Sequence, residues 1–172
     1  MSSLPDPGFA DDDGAATPAL TEALRAYDRN PDGLHDATLA VLAQQRLLVP
    51  VVAVLGEMET GGPDGERLPR EKSSDMATVL MRGRDGRTAL LAFTSIQTLQ
   101  RWNPEARPVP VLAAAAAEAA LADHASAVVV DVAGPVMFVV EGDDLRALAA
   151  GEVLMRLGDQ VSDRYGWVRP DP

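Results

Sequence analysis

The sequence predicts an α/β (α+β) fold in which a mixed β-sheet of about six strands carries helices packed on it. Apolar runs of strand length alternate along the chain with runs that have helical spacing. A tight turn at Asp85-Gly86 predicts a hairpin, and other strands are separated by a helix. Hairpins pair strands antiparallel and strand–helix–strand crossovers pair them parallel, so a mixed sheet follows.

Size, charge and composition limit the classes of function. The chain has 172 residues, 47% of them hydrophobic, which predicts one core and one domain. It has no apolar run of about 18 residues and no signal-peptide pattern at its acidic start, so we expect a cytoplasmic location and no membrane partner. A net charge of -11 argues against nucleic acid as a partner, because cationic contacts dominate such binding. Without cysteine, disulfides and thiolate chemistry are excluded.

The first part of the chain predicts an acidic tail and two helices. Residues 1–16 hold four aspartates and no basic residue, so we expect a disordered tail there. Thr17 and Pro18 are typical of a helix N-cap and first helical position. The Asn-Pro-Asp-Gly segment at 30–33 ends that helix, and a second helix follows at about 34–45.

The middle of the chain predicts three strands and one long loop. Residues 47–55 are almost uninterrupted apolar sequence, as in a strand covered on both faces. Residues 56–74 contain Gly-Gly-Pro-Asp-Gly and predict an exposed loop, which is long enough to be either functional or disordered. Strands at 76–82 and 88–93 flank the turn at Asp85-Gly86.

A capped helix and an edge strand come next. Thr94 and Gln97 have the spacing of a capping box, and Asn103-Pro104 ends the helix that they begin. Prolines at 108 and 110 place the strand at 108–112 on the edge of a sheet, because proline cannot donate to a neighbouring strand.

The last third predicts a helix, two strands and a final helix. The helix and the strands lie at 113–121, 127–132 and 136–140. Asp143 or Asp144 caps the final helix and Gly151 ends it. One domain therefore covers 17–157, and residues 158–172 form a loose polar tail.

Candidate chemistry is sparse. His35 and His124 each stand alone in predicted helices, so no zinc pattern is present, and we expect neither a metal nor a cofactor. Nucleophile elbows and phosphate-binding glycine loops do not occur. Asp131, at the end of a buried-looking strand, is the first carboxylate to examine for acid–base work. Alternatively, Asp131 is exposed to solvent in the turn that follows this strand.

Several segments together resemble the SseB N-terminal domain family, which is named for an enhanced-serine-sensitivity phenotype. The resemblance begins with FTSIQTLQRW at residues 93–102. It extends to QQRLLVPV at 44–51, KSSDMA at 72–77, ARPVPV at 106–111 and VVVDVAGPVMFVV at 128–140. The motifs are individually degenerate, and their order and spacing carry the resemblance. The KSSDMA segment is similar to the segment found before the second strand in the actinobacterial branch of the family. The resemblance covers about residues 34–151 and implies an SseB-like fold. It brings no catalytic residues, because the molecular function of the family is not established.

The leading hypothesis is a non-enzymatic cytoplasmic protein-interaction module with one protein partner. Binding residues commonly lie on loops held by a rigid scaffold, which leads to candidates in and after the long loop: Arg67, Arg70, Lys72, Asp75, Trp102 and Arg107. One alternative is a small-molecule binder or carboxylate-based enzyme linked to amino-acid (serine) metabolism, as the family name implies. Another is a homo-oligomeric structural component, joined through the proline-edged strand or the hairpin.

Overall fold

The computed structural model describes residues 9–54, 75–158 and 163–171, without the side chains of 52–54 and 75–77. These residues form five helices: α1 (Pro18–Arg29), α2 (Pro31–Leu42), α3 (Ile96–Trp102), α4 (Ala113–Ala122) and α5 (Gly142–Ala149). They also form nine strands: β1 (Arg46–Val54), β2 (Asp75–Thr78), β3 (Leu80–Arg82), β4 (Thr88–Ala92), β5 (Arg107–Leu112), β6 (Ala127–Val130), β7 (Phe138–Glu141), β8 (Val153–Leu157) and β9 (Arg164–Val168). The α+β class predicted from the sequence is confirmed.

The strands form three sheets, and the second of them is mixed. Their orders are β2-β1-β5, β3-β4-β6-β7 and β8-β9. Within the second sheet β4 and β6 are parallel, while its other pairs are antiparallel. Reciprocal backbone hydrogen bonds of 2.8 Å between Leu48 and Phe93 join the first two sheets. The strand predicted at 76–82 is thus divided, since β2 pairs with β1 and β3 pairs with β4.

The second sheet is covered on both faces. Alternate residues of β4 and β6 enter two different apolar clusters: Leu90, Ala92, Val128 and Val130 in the larger one, and Ala89, Leu91, Ala127 and Val129 in the smaller one. The larger cluster includes leucines of α1, α2 and α5 and alanines of α4, whereas the smaller one includes Leu99 of α3. Each fully buried side chain of leucine or valine size contributes about 1.5–3 kcal/mol. Burial on both faces explains why the strand sequences are continuously apolar.

Helix α1 begins as the sequence predicts, and α2 begins earlier. Thr17 is the N-cap of α1 and accepts a hydrogen bond from the Leu20 N–H, with Pro18 at the first helical position. Asn30 caps α2 by accepting from the Gly33 N–H at 3.2 Å. The prediction that α2 begins near residue 34 was therefore wrong by about one turn. In the sequence Pro31 indicates the end of α1, but proline is also favoured at the first position of a helix, where its missing N–H is not needed.

The caps of α3 and α5 also differ from the sequence prediction. Ser95, rather than Thr94, is the N-cap of α3 and forms a capping box with Thr98. The N-cap of α5 is Glu141 without a side-chain cap bond, while both predicted aspartates lie in the first turn of that helix. Acidic residues in a first turn still stabilise the helix through its dipole.

The tight turn between β3 and β4 is confirmed. Gly86 has a φ of 82°, a conformation that glycine adopts without steric cost. Asp85 Oδ1 accepts from the Arg87 N–H at 3.1 Å and fixes the turn. Gly151, with φ 73°, follows the end of α5 as predicted.

Both predicted tails contain ordered structure among the described residues. Residues 9–16, here called the N-terminal arm, contact the body through Asp12 and Gly14. Strand β9 lies inside the segment 158–172, which the sequence predicts to be loose. Its Tyr165 and Trp167 pack against the larger cluster, and this burial holds the strand. Residues 1–8 lie outside the described residues.

Strand β5 lies at an edge of the first sheet, as its prolines predict. Leu48 directs its N–H and C=O toward Phe93, so its neighbours Leu47 and Val49 are the residues that pair with β5, through Val111 and Val109. Pro108 and Pro110 therefore turn their nitrogens outward, where a further strand would need donors. The edge is poorly suited to backbone pairing with a second copy.

Candidate functional site

A cleft lies where the parallel strands β4 and β6 end, between the N-terminal arm, α1 and α3. Its volume is about 500 Å³. Thr94 follows β4 and Asp131 follows β6, and both residues line the cleft. In open α/β sheets ligands bind outside the carboxyl ends of parallel strands, so this is the expected position for a binding site.

Asp131 is the buried polar centre of the cleft. It is 1% exposed, and its two carboxylate oxygens accept from the two donors of Thr94: Oδ1 from the backbone N–H at 2.9 Å and Oδ2 from the hydroxyl at 2.7 Å. Its own N–H donates to the Ala92 carbonyl at 3.0 Å. The reading of Asp131 as a residue exposed in the turn was therefore wrong. The side chain instead ties the ends of two parallel strands together.

The environment of Asp131 disfavours its charged form. Burial raises the pKa of the Asp131 carboxyl, and this effect exceeds the opposing influence of hydrogen bonds from Thr98 and Thr94 and of the Arg101 charge. Asp131 also has a φ of 53°, in the left-handed region that non-glycine residues seldom occupy. Such a conformation is kept only where the surrounding contacts hold it.

Arg46 fixes the N-terminal arm against the same turn. Its guanidinium donates to the Thr94 carbonyl at 2.8 Å, to Asp12 Oδ1 at 2.6 Å and to the Ala15 carbonyl at 2.9 Å. The Arg46 and Asp12 side chains are only 11% and 16% exposed. The hydrogen bond from Arg46 lowers the pKa of Asp12 below its ordinary value. A chain of contacts thus runs from Asp131 through Thr94 and Arg46 to Asp12.

Gly14 lets the arm lie close to α3. Its carbonyl accepts from the Ile96 N–H at 2.8 Å, and its φ is 76°. A Cβ at this position would lie 2.2 Å from Ile96 Cδ1, closer than atoms can approach. A larger residue would therefore require the Ile96 side chain or the arm to move, and the φ of 76° would add backbone strain.

Two arginines line the cleft from different helices. Arg25 on α1 and Arg101 on α3 are both exposed, and neither forms an ion pair with any other residue in the described ranges. Asp13, on the arm, is the other charged residue at the rim. Leu24, Ile96 and Val136 add apolar surface, so the cleft offers cationic, hydroxyl and apolar groups together.

A second region with unusual surface is the C-terminal ribbon, formed by β8 and β9. Its outer face shows four exposed apolar side chains at the following fractions: Val153 39%, Met155 50%, Leu157 49% and Val168 40%. Leu154 points the other way and is 6% exposed. Trp167 Nε1 donates to Asp144 Oδ1 on α5 at 2.9 Å and fastens the ribbon to the body.

The histidines do not form a site. His35 stacks on Phe138 at 4.9 Å, and its Nε2 lies 3.6 Å from Asp144 Oδ2, so it is a partly buried residue at the boundary of the core. His124 follows α4 rather than lying in it, with φ 58°. Across the described ranges no three His, Asp or Glu residues are placed to hold a metal ion.

The residues selected from the sequence do not line the cleft where they are described. Arg67, Arg70 and Lys72 lie outside the described residues, and Asp75 begins β2 with only its backbone described. Trp102 is half-buried with its ring 5.6 Å from that of Phe93, and Arg107 is exposed on β5.

The cleft residues Arg25, Thr94, Ser95 and Arg101 were not selected as binding residues from the sequence. A signal for one of them, Thr94, did exist. Parallel pairing of the strands before and after a crossover places Thr94, which follows β4, beside Asp131, which follows β6.

No helix within the described part of the chain is both long enough and apolar enough to cross a membrane. The family model described as SseB protein N-terminal domain matches residues 20–147. The matched region includes both arginines of the cleft, Thr94 and Asp131, whereas the N-terminal arm and the C-terminal ribbon lie outside it. No match was found among curated proteins or among solved structures.

Proposed function

The chain belongs to the SseB N-terminal domain family, and we propose that it is a binding protein that takes a small molecule into the cleft. One observation carries the proposal: the carboxyl ends of the parallel strands β4 and β6 open into a cavity of about 500 Å³ lined by fixed polar groups. Ligand sites of soluble proteins have volumes of roughly 300–1,000 Å³ and combine apolar walls with a few placed polar groups.

Binding fits the cleft better than catalysis by a carboxylate. Asp131 is 1% exposed and each of its oxygens accepts a hydrogen bond from Thr94, so little of either oxygen is open to a substrate proton. A general base needs an oxygen that can reach the substrate proton. We therefore propose that Asp131 positions the turn, and that a carboxylate-based enzyme linked to amino-acid metabolism is the less favoured alternative.

Two tryptophan variants of α3 test the proposal. Gln97 and Gln100 are both exposed on this helix, but only Gln97 is among the cleft-lining residues. Wild type, Gln97→Trp and Gln100→Trp are each mixed with a small-molecule extract of the host cells, separated from unbound material and analysed by mass spectrometry.

We expect at least one compound to be enriched by wild type and by Gln100→Trp, and to be lost from Gln97→Trp because the indole fills the cleft. Equal enrichment by all three proteins would place the site elsewhere. Enrichment of no compound by the wild-type protein would contradict the proposal.

A protein-interaction role is the second candidate, and the C-terminal ribbon favours it. Four exposed apolar side chains on one face of a two-stranded sheet are typical of a contact surface. Affinity capture with Met155→Ser should lose partners that wild type recovers. Leu80→Ser is the matched control, because Leu80 is 40% exposed on β3, away from the ribbon. Equal recovery with Met155→Ser and wild type would remove the ribbon as the surface.

Three finer expectations are also kept as proposals. The actinobacterial branch is supported by the KSSDMA segment at 72–77, and the cytoplasm remains the proposed location. Self-association, if it occurs, is proposed to use a face other than the outer edge of β5, because Pro108 and Pro110 remove donors there.

A further inference from the structure

We propose that the ligand of the cleft carries an anionic group, a carboxylate or a phosphate, which is bound by Arg25 of α1 and Arg101 of α3. The proposal rests on the cleft being a ligand site. Guanidinium groups bind such anions through two parallel hydrogen bonds, and this geometry makes arginine the preferred residue for them.

The main argument is that two arginines from different helices line one cavity, and that neither forms an ion pair with the residues that the structure describes. The lack of an ion pair does not by itself mark a site, because Arg82, Arg84, Arg107 and Arg164 have none in the described ranges either. Six other arginines do form ion pairs: Arg29, Arg46, Arg87, Arg146, Arg156 and Arg169. Arg25 and Arg101 belong to different helices, yet both line the same cavity. Two cations on one cavity favour an anion as the ligand, although the Arg101 charge also acts on the buried Asp131 carboxyl.

The acids of the cleft form no ion pair with these arginines in the described ranges. Asp131 is buried, and each of its oxygens accepts a hydrogen bond from Thr94, so this carboxyl is committed to the turn. Asp13 is exposed at the rim, where its Oδ1 accepts from the Ala15 N–H at 2.9 Å. The hydroxyl groups of Thr21 and Ser95 also line the cavity and add neutral polar surface.

The size of the cleft favours a small organic acid over a macromolecule. A volume of about 500 Å³ lies within the range of small-molecule sites. The apolar side chains of Leu24, Ile96 and Val136 suit a short carbon skeleton behind the anionic group. We therefore expect a free small molecule with one anionic end and a less polar body.

Matched acid and amide probes test the proposal on the full chain. Small carboxylic acids, each paired with its primary amide, are titrated at constant ionic strength, and inorganic phosphate is titrated separately. Backbone amide NMR shifts of the turn at 94–98 report binding. The proteins compared are wild type, Arg25→Gln, Arg101→Gln and Arg84→Gln. Arg84 is the control, because it is exposed at the hairpin tip and does not line the cleft.

We expect the acids or phosphate to shift the resonances at 94–98, and the amides to shift them much less. Each cleft variant should weaken acid binding by roughly tenfold, the loss of one charge-assisted contact, whereas Arg84→Gln should leave it within about twofold. If the acids bind equally to wild type and both cleft variants, the arginines are not the anion site. If amides bind as well as acids, the cleft remains a ligand site but the anionic group is wrong. If neither acids, amides nor phosphate bind, both proposals fail.

Discussion

The cleft and the C-terminal ribbon are built in opposite ways. In the cleft, Thr94 donates to Asp131, and Arg46 donates to the Thr94 carbonyl and to Asp12, which joins residues 37, 48 and 34 positions apart. The ribbon is a local hairpin that packs one face on the body and shows apolar side chains on the other. Long-range polar contacts fix donors and acceptors before a ligand arrives, which lowers the entropic cost of binding. The cleft is therefore the better candidate for specific recognition.

The largest effect is expected at the buried end of the cleft. Asp131→Ala leaves the N–H and the hydroxyl of Thr94 without their acceptors, and each unsatisfied buried donor costs about 1–3 kcal/mol. We expect the free energy of unfolding in urea to fall by about 3 kcal/mol. A loss below about 1 kcal/mol would show that the turn does not depend on Asp131.

A smaller loss is expected when the inner face of the ribbon is changed. Leu154 is buried and belongs to the larger cluster, so Leu154→Ala should cost about 2 kcal/mol. Met155→Ala, on the outer face, should cost less than about 0.5 kcal/mol. Thermal or urea unfolding of both variants measures the difference. Equal losses would mean that both faces of the ribbon are packed.

Arg46→Gln tests how far the N-terminal arm depends on its anchor. The substitution removes a largely shielded ion pair and the bonds to the Thr94 and Ala15 carbonyls. We expect a loss of about 1.5 kcal/mol and faster amide hydrogen exchange at residues 12–16. Unchanged exchange in the arm would show that Gly14 and Ile96 hold it without Arg46.

Trp167→Phe keeps the aromatic packing of the ribbon and removes its hydrogen bond to Asp144. Because the bond is only partly buried, the expected loss is about 1 kcal/mol, with the β8–β9 pairing preserved. Asp144→Asn is the matched change. Its amide oxygen can still accept the hydrogen bond from the indole, so this substitution should lower the stability less than Trp167→Phe does. A larger loss in Asp144→Asn would assign the main role of Asp144 to another contact.

The smallest expected effect is a pH dependence that belongs to the cleft. Burial raises the pKa of the Asp131 carboxyl, so the folded protein binds a proton at this carboxyl more tightly than the unfolded chain does. The stability gained from this proton is fully present below the ordinary pKa of about 3.8, and it is lost as the pH rises through the folded-state pKa.

Asp131→Asn cannot titrate at this position and serves as the reference. The unfolding free energy of wild type minus that of Asp131→Asn should fall as the pH rises from about 3.8 through the folded-state pKa of Asp131. The opposite slope is expected for Asp12, because Arg46 lowers its pKa: its contribution is lost as the pH falls. A wild-type advantage over Asp131→Asn that grows with pH would contradict the assigned direction.

Local signals in the sequence were sufficient for much of the fold. Thr17 and Pro18 located the start of α1, and Asp85-Gly86 located the hairpin, because cap and turn chemistry depend on neighbouring residues. Strand β9 was missed since its two aromatic residues, Tyr165 and Trp167, lie in a short polar segment. Their alternation becomes meaningful only once the core they cover is known.

The cleft could not be assembled from local signals. Arg25 and Arg101 are ordinary exposed residues of two helices, and their shared cavity depends on how α1 and α3 pack around the sheet. Asp131 was selected as a carboxylate of interest, but its partner Thr94 is 37 residues away and becomes adjacent only through the parallel pairing of β4 and β6. Tertiary structure therefore determines the site, although the sequence determines its parts.

One measurement tests the cleft as the binding region most directly. Backbone amide NMR spectra of the wild-type chain are recorded with and without the small-molecule fraction of host cells, and the shifted resonances are mapped along the chain. We predict that the shifts concentrate at residues 94–98 and 131–136, with those of the ribbon strands unchanged. Shifts confined to β8 and β9, with the cleft silent, would contradict the account.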